Sequence, residues 1–179
     1  MAFFIEYPSC LGSIILESDD GLSLSALSIK SEAKDAFFEN SHSRETLKIF
    51  DQARKWLDAY FKRKKVSPFD LPLSPHGGGD FARSVWRRLC SIPYGETATY
   101  GELAKEIARV RGIAKMSAQA VGGAVGRNPI AIIIPCHRVV GANGNLTGYA
   151  GGLELKVKLL KIEGAYKPHF FFPRNRSQF

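Results

Sequence analysis

The sequence predicts a chain in two parts, an α/β segment followed by a mostly helical one, on three observations. Short β-rich runs crowd into residues 3–30. The stretch KKVSPFDLPLSPHGGGD, with three prolines and three consecutive glycines, cannot continue a helix and reads as an extended connection. Beyond it, apolar positions recur mainly at helical steps. The boundary is set there, giving parts 1–74 and 75–179.

In the first part, FFIEY, GSIILES and LSLSALSI are separated by Pro-Ser, Asp-Asp-Gly and Ser-rich breaks and read as an antiparallel meander. From Ser43 to about Lys62, the positions Leu47, Ile49, Phe50, Ala53, Trp56, Leu57, Tyr60 and Phe61 form one helical face, which would cap the meander. The run KRKK at 62–65 falls at that helix end, where cations meet the dipole favourably.

In the second part, DFARSVWRRLCSI carries Phe81, Val85 and Leu89 on one helical face, and PYGE supplies a turn. Thr99 and Glu102 stand in capping-box spacing, so a helix should start near Tyr100. SAQAVGGAVGRNP reads as a helix of small residues stopped by Gly126 and Pro129. The pair suggests a helix-turn-helix. Small side chains on its second helix fit either the close approach of a partner backbone or tight packing on a neighbouring helix.

IAIIIP reads as a buried strand, GANGN as a turn on Asn-Gly, and GGLELKVKLLKIEG as a helix closed by Gly164. The aromatic, basic tail AYKPHFFFPRNRSQF fits packing back on the domain as well as trailing away.

Apolar content of 45%, charged content of 23% and twelve Phe residues are globular values and exclude a disordered chain. A net charge of +8 biases the surface toward polyanions, nucleic acid among them. No apolar run approaches the roughly 20 residues of a membrane span, and the N-terminus lacks a signal-peptide pattern. A soluble, intracellular protein is expected, cytoplasmic or nuclear according to its source. Cys10, Cys90 and Cys136 are scattered and odd in number, which fits neither a disulfide framework nor a zinc motif.

Cys10 and Cys90 read as small hydrophobes. Cys136 differs, because IIIPCHRVV sets a thiol, an imidazole and a guanidinium in consecutive positions after an apolar run. A thiol is a strong nucleophile at neutral pH only when a base or positive charge supports the thiolate. In an extended segment His137 would point away from Cys136 and act through a water. Glu163 is the candidate carboxylate to orient that imidazole.

PCHRVV, residues 135–140, resembles the active-site signature of the O6-alkylguanine-DNA alkyltransferases. The similarity extends through FDLPL, FARSVWRRLCSIPYGETATYGELA, AVGGAVGRNP and IIIPCHRVVGANGNLTGYAGGLELKVKLLKIEG, and more weakly through YPSCLG. The resemblance implies an N-terminal ribonuclease-H-like α/β subdomain and a mostly helical C-terminal subdomain with a helix-turn-helix. It also implies docking of that motif in the minor groove, flipping of the damaged guanine, and irreversible, single-turnover transfer of its alkyl group to a cysteine. The partner is then double-stranded DNA carrying O6-alkylguanine, with no cofactor, metal or membrane, and the protein should act as a monomer. O4-alkylthymine and the range of alkyl groups stay open.

Carried over by position, Cys136 is the acceptor, His137 the water-mediated base and Glu163 the residue that orients it. Asn128 braces the active-site turn, and Tyr100 aids flipping and hydrogen-bonds the leaving base. Tyr149, Gly151 and Gly152 wall the pocket, where the Val139 backbone contacts guanine. Ala118, Gln119, Ala120, Arg127, Lys115 and Arg111 are expected at the DNA. Gln119 stands where the family usually has the arginine that fills the vacated base stack. The segment before it is longer than usual, so Arg109, Arg111 or Lys115 could substitute, or could simply solvate a longer turn.

Three rival functions are weaker. An alkyl-lesion sensor without enzymatic activity would lack Cys136. A helix-turn-helix regulator needs base-reading polar residues, and SAQAVGG offers little beyond Gln119. A cysteine hydrolase needs an oxyanion hole, for which the sequence gives no independent sign.

Overall fold

A computed structural model describes residues 2–29, 42–43 and 47–172, with His42 and Ser43 described in backbone only. Strands β1 (Phe3–Ser9) and β2 (Gly12–Ser18) form an antiparallel hairpin, and β3 (Ala26–Ile29) continues the meander on β2. A short strand β4 (His42–Ser43) adds in parallel to β1, which gives the order β3-β2-β1-β4. Helix α1 (Lys48–Phe61) buries Ile49, Phe50, Ala53, Trp56, Leu57 and Tyr60, the face its periodicity predicts. It begins later than the expected Ser43; residues 44–46 lie outside the described residues.

The connection is extended except for one 3-10 turn, Pro68–Asp70, capped by Ser67 in a capping box. It pairs through Leu24 N–H with the Pro72 carbonyl at 2.9 Å, and through Ser74 N–H with the Leu24 carbonyl at 2.8 Å.

The second part comprises α2 (Asp80–Leu89), β5 (Ala98–Thr99), α3 (Tyr100–Val110), α4 (Ala118–Gly126), β6 (Val139–Val140) and α5 (Leu153–Ile162). The fold is thus an N-terminal sheet with one helix, followed by a helical region. The Thr99–Glu102 capping box forms as predicted, with Thr99 N–H donating to Glu102 Oε2 at 2.7 Å and Glu102 N–H to Thr99 Oγ1 at 3.1 Å. Trp86 Nε1 donates to the Ala124 carbonyl at 2.8 Å, tying α2 to α4.

The small residues of α4 divide between the two roles left open. Val121, Ala124 and Val125 are buried against neighbouring helices, and Gly122 faces the Tyr100 ring with room for a Cβ at ordinary contact distance, 3.6 Å. Ala118, Gln119 and Ala120 stay exposed. One core joins both parts, with Ile5, Leu16 and Leu57 in the same cluster as Val85, Leu103 and Val121. Each such side chain contributes about 1.5–3 kcal/mol on burial.

IAIIIP is not a strand. Ile130 bridges Leu27 of β3, and the chain then turns, with Ile134 N–H donating to the Ile130 carbonyl at 3.0 Å and Ile132 at φ 67°. The apolar run reported burial correctly, for Ile130, Ile132, Ile133 and Ile134 are all inside. Such a run carries no periodicity that separates strand from turn. The tail packs back as far as it is described. Phe170 is buried with Val140, Leu146, Leu160 and Ala165, and Leu146 N–H donates to the Phe171 carbonyl at 2.8 Å. Among the described residues, no helix is long and apolar enough to cross a membrane.

Candidate active site

The turn that replaces the expected strand delivers Cys136. Asn128, just after α4, holds it from inside: Nδ2 donates to the Ile134 carbonyl at 2.8 Å and lies 3.2 Å from Cys136 Sγ, while Oδ1 accepts from Ile130 N–H at 3.1 Å. A side-chain amide thereby satisfies backbone groups that a neighbouring strand would have paired. Cys136–Arg138 then forms a single 3-10 turn, not the extended segment expected, so alternation across a strand does not set the side-chain directions here.

Cys136, His137 and Arg138 are all buried. His137 Nε2 lies 2.6 Å from Glu163 Oε1, at the C-terminal end of α5, and its Nδ1 is buried without a hydrogen-bond partner. Arg138 grips the same carboxylate through Nε to Oε2 at 2.8 Å and Nη2 to Oε1 at 3.1 Å, and its Nη1 donates to the Ile92 carbonyl at 2.6 Å. Tyr60, from α1, donates its hydroxyl to Glu163 Oε1 at 2.9 Å, and Gly95 N–H reaches Oε2 at 3.3 Å.

Burial alone would raise the Glu163 carboxyl, but the hydrogen bonds and charges of His137 and Arg138 outweigh it and hold the group down at about 2. Burial lowers the His137 imidazole, against the pull of Glu163. Burial raises the Cys136 thiol, and the Asn128 hydrogen bond and the Lys156 charge oppose that rise. Lys156 is itself buried, with Nζ donating to the carbonyls of Val139 at 2.6 Å and Thr147 at 2.8 Å, and burial lowers it to about 8.

Cys136 opens on a cavity of about 280 Å³, walled also by Asn128, Tyr149, Gly151 and Leu155, and by Ile29 from β3. Tyr100, the first residue of α3, points its hydroxyl at the carbonyls of Thr147 and Gly148, 3.2 and 3.3 Å away. Burial and the Cys136 charge raise it to about 12, so it stays a proton-bearing donor. Val139 is fully buried and pairs with Ala98, and Gly152 caps α5 at φ 88°; of the four residues expected to wall the pocket, Tyr149 and Gly151 line this cavity and these two do not.

Of the residues expected at DNA, Lys115, Ala118 and Gln119 line one groove between α3 and α4. Arg111 at the end of α3, Lys115 in the turn, Ala118, Gln119 and Ala120 at the start of α4, and Arg127 at its end are all exposed. Arg111 stacks over the Phe81 ring at 5.6 Å, and Arg109 lies 4.0 Å from Glu106. Among the described residues Lys115 makes no such contact.

Three members of the site escaped sequence reasoning. Arg138 stood out in the sequence only as a guanidinium next to the Cys-His pair, with no sign that it would grip the Glu163 carboxylate. Tyr60 appeared only as one apolar position of a helix face. Lys156 carried a usable signal, since it stands three and four residues before the buried Leu159 and Leu160 and so on the inner stripe of α5.

A helix-turn-helix beside a cavity that ends on a buried, imidazole-neighboured thiol defines a DNA-binding protein with a nucleophilic cysteine. The chain belongs to the 6-O-methylguanine DNA methyltransferase family: residues 4–75 match its ribonuclease-like domain and residues 80–165 its DNA binding domain. It is 45% identical to the methylated-DNA–protein-cysteine methyltransferase of Methanosarcina acetivorans, over 91% of this chain and 99% of that one. It is 39% identical to the protein of that name from Haemophilus influenzae, over 90% and 86%. A crystal structure of the Mycobacterium tuberculosis O6-methylguanine methyltransferase superposes with a TM-score of 0.76 at 39% identity, over 94% of this chain and 96% of that one. The same protein in complex with DNA superposes at 0.75, again at 39% identity, over 90% and 92%.

Proposed function

We propose that this protein repairs DNA by direct reversal, with Cys136 taking the alkyl group from O6-alkylguanine in a flipped nucleotide. The observation that carries the reading is one buried thiol on the wall of a nucleobase-sized cavity, followed by an imidazole fixed on a carboxylate at 2.6 Å.

Glu163 accepts from His137 Nε2–H, which leaves Nδ1 as the basic nitrogen. Nδ1 takes the Cys136 proton through a water. The thiolate attacks the alkyl carbon in line, with sulfur and carbon about 3 Å apart before reaction. The S–C bond forms as the C–O6 bond breaks, the electron pair moves onto guanine, and a proton from the relay restores the neutral base. Tyr100 gives the departing guanine a hydrogen bond once it exchanges the Thr147 and Gly148 carbonyls for substrate. A thioether has no low-energy route back to a thiol, so each chain acts once.

Exposed Ala118, Gln119 and Ala120, with Arg127, Lys115 and Arg111, form the DNA-facing side. The protein is read as a monomer on duplex DNA. Flipping costs a few kcal/mol and less at a mispaired base, which favours lesions over intact guanine. Cys136→Ala tests the assignment: it should bind a duplex bearing O6-methylguanine as tightly as the wild type and leave the lesion in place. Repair by Cys136→Ala at the wild-type rate would refute it.

A further inference from the structure

We propose that Tyr60, a residue of the ribonuclease-like part, is a positioning residue of the alkyl-transfer relay, holding Glu163 so that Glu163 holds His137. The proposal rests on the relay reading above and adds to it a member from outside the helical part.

Tyr60 is fully buried and donates to Glu163 Oε1, the same oxygen that binds His137 Nε2. Its ring is clamped between Trp56, stacked at 5.5 Å, and Tyr94, edge-on at 5.8 Å, and Tyr94 in turn lies under the Arg138 guanidinium at 5.7 Å. The hydroxyl is therefore delivered by packing that does not depend on Glu163. Burial raises Tyr60 far above the ordinary phenol range, so at any working pH it is a donor and never a competing anion.

Glu163 Oε1 takes hydrogen bonds from three side chains, His137, Arg138 and Tyr60, and of these Tyr60 is the one that neither carries a charge nor takes one up in the relay. Arg138 fixes the plane of the carboxylate through two nitrogens. Tyr60 fixes Oε1 from a different element and draws off part of its charge, which lowers the hold of Glu163 on an imidazolium. Among the described residues, the titratable and charged groups that act on Glu163 and His137 are Tyr60, Tyr94, Arg138, Tyr149 and Lys156. Of these, only Tyr60 joins the carboxylate from α1. Its loss should leave Glu163 more negative toward His137 and His137 easier to protonate.

The test is the single-turnover rate of methyl transfer from an O6-methylguanine duplex, followed against pH for wild type, Tyr60→Phe, His137→Gln and Tyr7→Phe. Tyr7, which donates to Asp58 on the outer side of α1 at 2.7 Å, controls for loss of a tyrosine–carboxylate bond from the same helix. Tyr60→Phe keeps the ring packing. It should slow transfer about tenfold, the order expected for losing a hydrogen bond to a charged group. Its acid limb should move up by about half a pH unit or more, while Tyr7→Phe keeps the wild-type rate and limb. Wild-type rate and pH profile in Tyr60→Phe, or slowing with an unmoved limb, overturns the positioning role. If His137→Gln matches the wild type, the relay itself fails and the role of Tyr60 with it. If His137→Gln is crippled and Tyr60→Phe is not, only the inference about Tyr60 falls.

Discussion

Glu163 is the residue on which the site turns. Its two oxygens accept from His137, Arg138, Tyr60 and Gly95 inside the protein, so one carboxylate neutralises a buried guanidinium and orients the imidazole at once. Removing the charge strands Arg138: Glu163→Gln should destabilise the fold by about 3–5 kcal/mol, the usual cost of breaking a buried ion pair from one side. Denaturant midpoints read this directly, and a loss under about 1 kcal/mol would mean that water reaches the pair. Asn128→Ala should cost about 1–3 kcal/mol through the unpaired turn carbonyls. It should also slow iodoacetamide labelling of Cys136 at neutral pH, because a hydrogen bond that lowers the thiol is gone. Faster labelling would show that Asn128 shields the sulfur more than it activates it. The imidazole is held below its ordinary 6.5, so it stays neutral to lower pH than a free histidine. The acid limb of the wild-type rate should accordingly lie below pH 6.5, and a midpoint above that value contradicts the assignment. At this scale Cys136, His137, Asn128 and Glu163 were legible because each sits in a quotable motif. Tyr60 and Arg138 were not, because their roles arise from packing between segments far apart in sequence, whereas the burial of Lys156 was written in the stripe of α5 and only its carbonyl partners were not.

Among the elements, the helix-turn-helix was readable in detail and the segment after it was not. Thr99 and Glu102 signal the start of α3 through local chemistry alone, and Gly126 and Pro129 signal the stop of α4. Residues 130–134 form a turn only because Asn128 and the edge of β3 supply their partners, with Leu27 N–H donating to the Pro129 carbonyl at 2.9 Å and Ala131 N–H to the Leu27 carbonyl at 3.1 Å. Nothing local to IAIIIP encodes those partners. The active-site turn is thus fastened to the N-terminal sheet, which explains how the first part supports chemistry in the second. At the start of α4, Gln119 offers DNA no charge. Gln119→Arg should tighten duplex binding and steepen its salt dependence by about one unit in the log–log slope. An unchanged slope and affinity would show that Lys115 or its neighbours already fill the role.

For the whole molecule, the charge of +8 predicts duplex affinity that falls steeply with ionic strength. Stability should respond to acid in two stages. The lowered His137 means the unfolded chain binds its proton first, so stability begins to erode as pH falls past about 6.5. Glu163 lies at about 2 when folded against an ordinary 4.5, so its contribution is complete above pH 4.5 and is lost between there and pH 2. Thermal melts across this range should show both stages, and a melting temperature flat from pH 7 to 3 would contradict the buried triad.

The central claim, a thiol consumed once, is tested most directly by titrating a duplex carrying a single O6-methylguanine with the protein. Restored guanine is counted and the methyl group is mapped by peptide mass. The account predicts one lesion repaired per chain, with one methyl group on the Cys136 peptide and none elsewhere. Repair of several lesions by one chain, or repaired DNA alongside an unmodified Cys136, would contradict it.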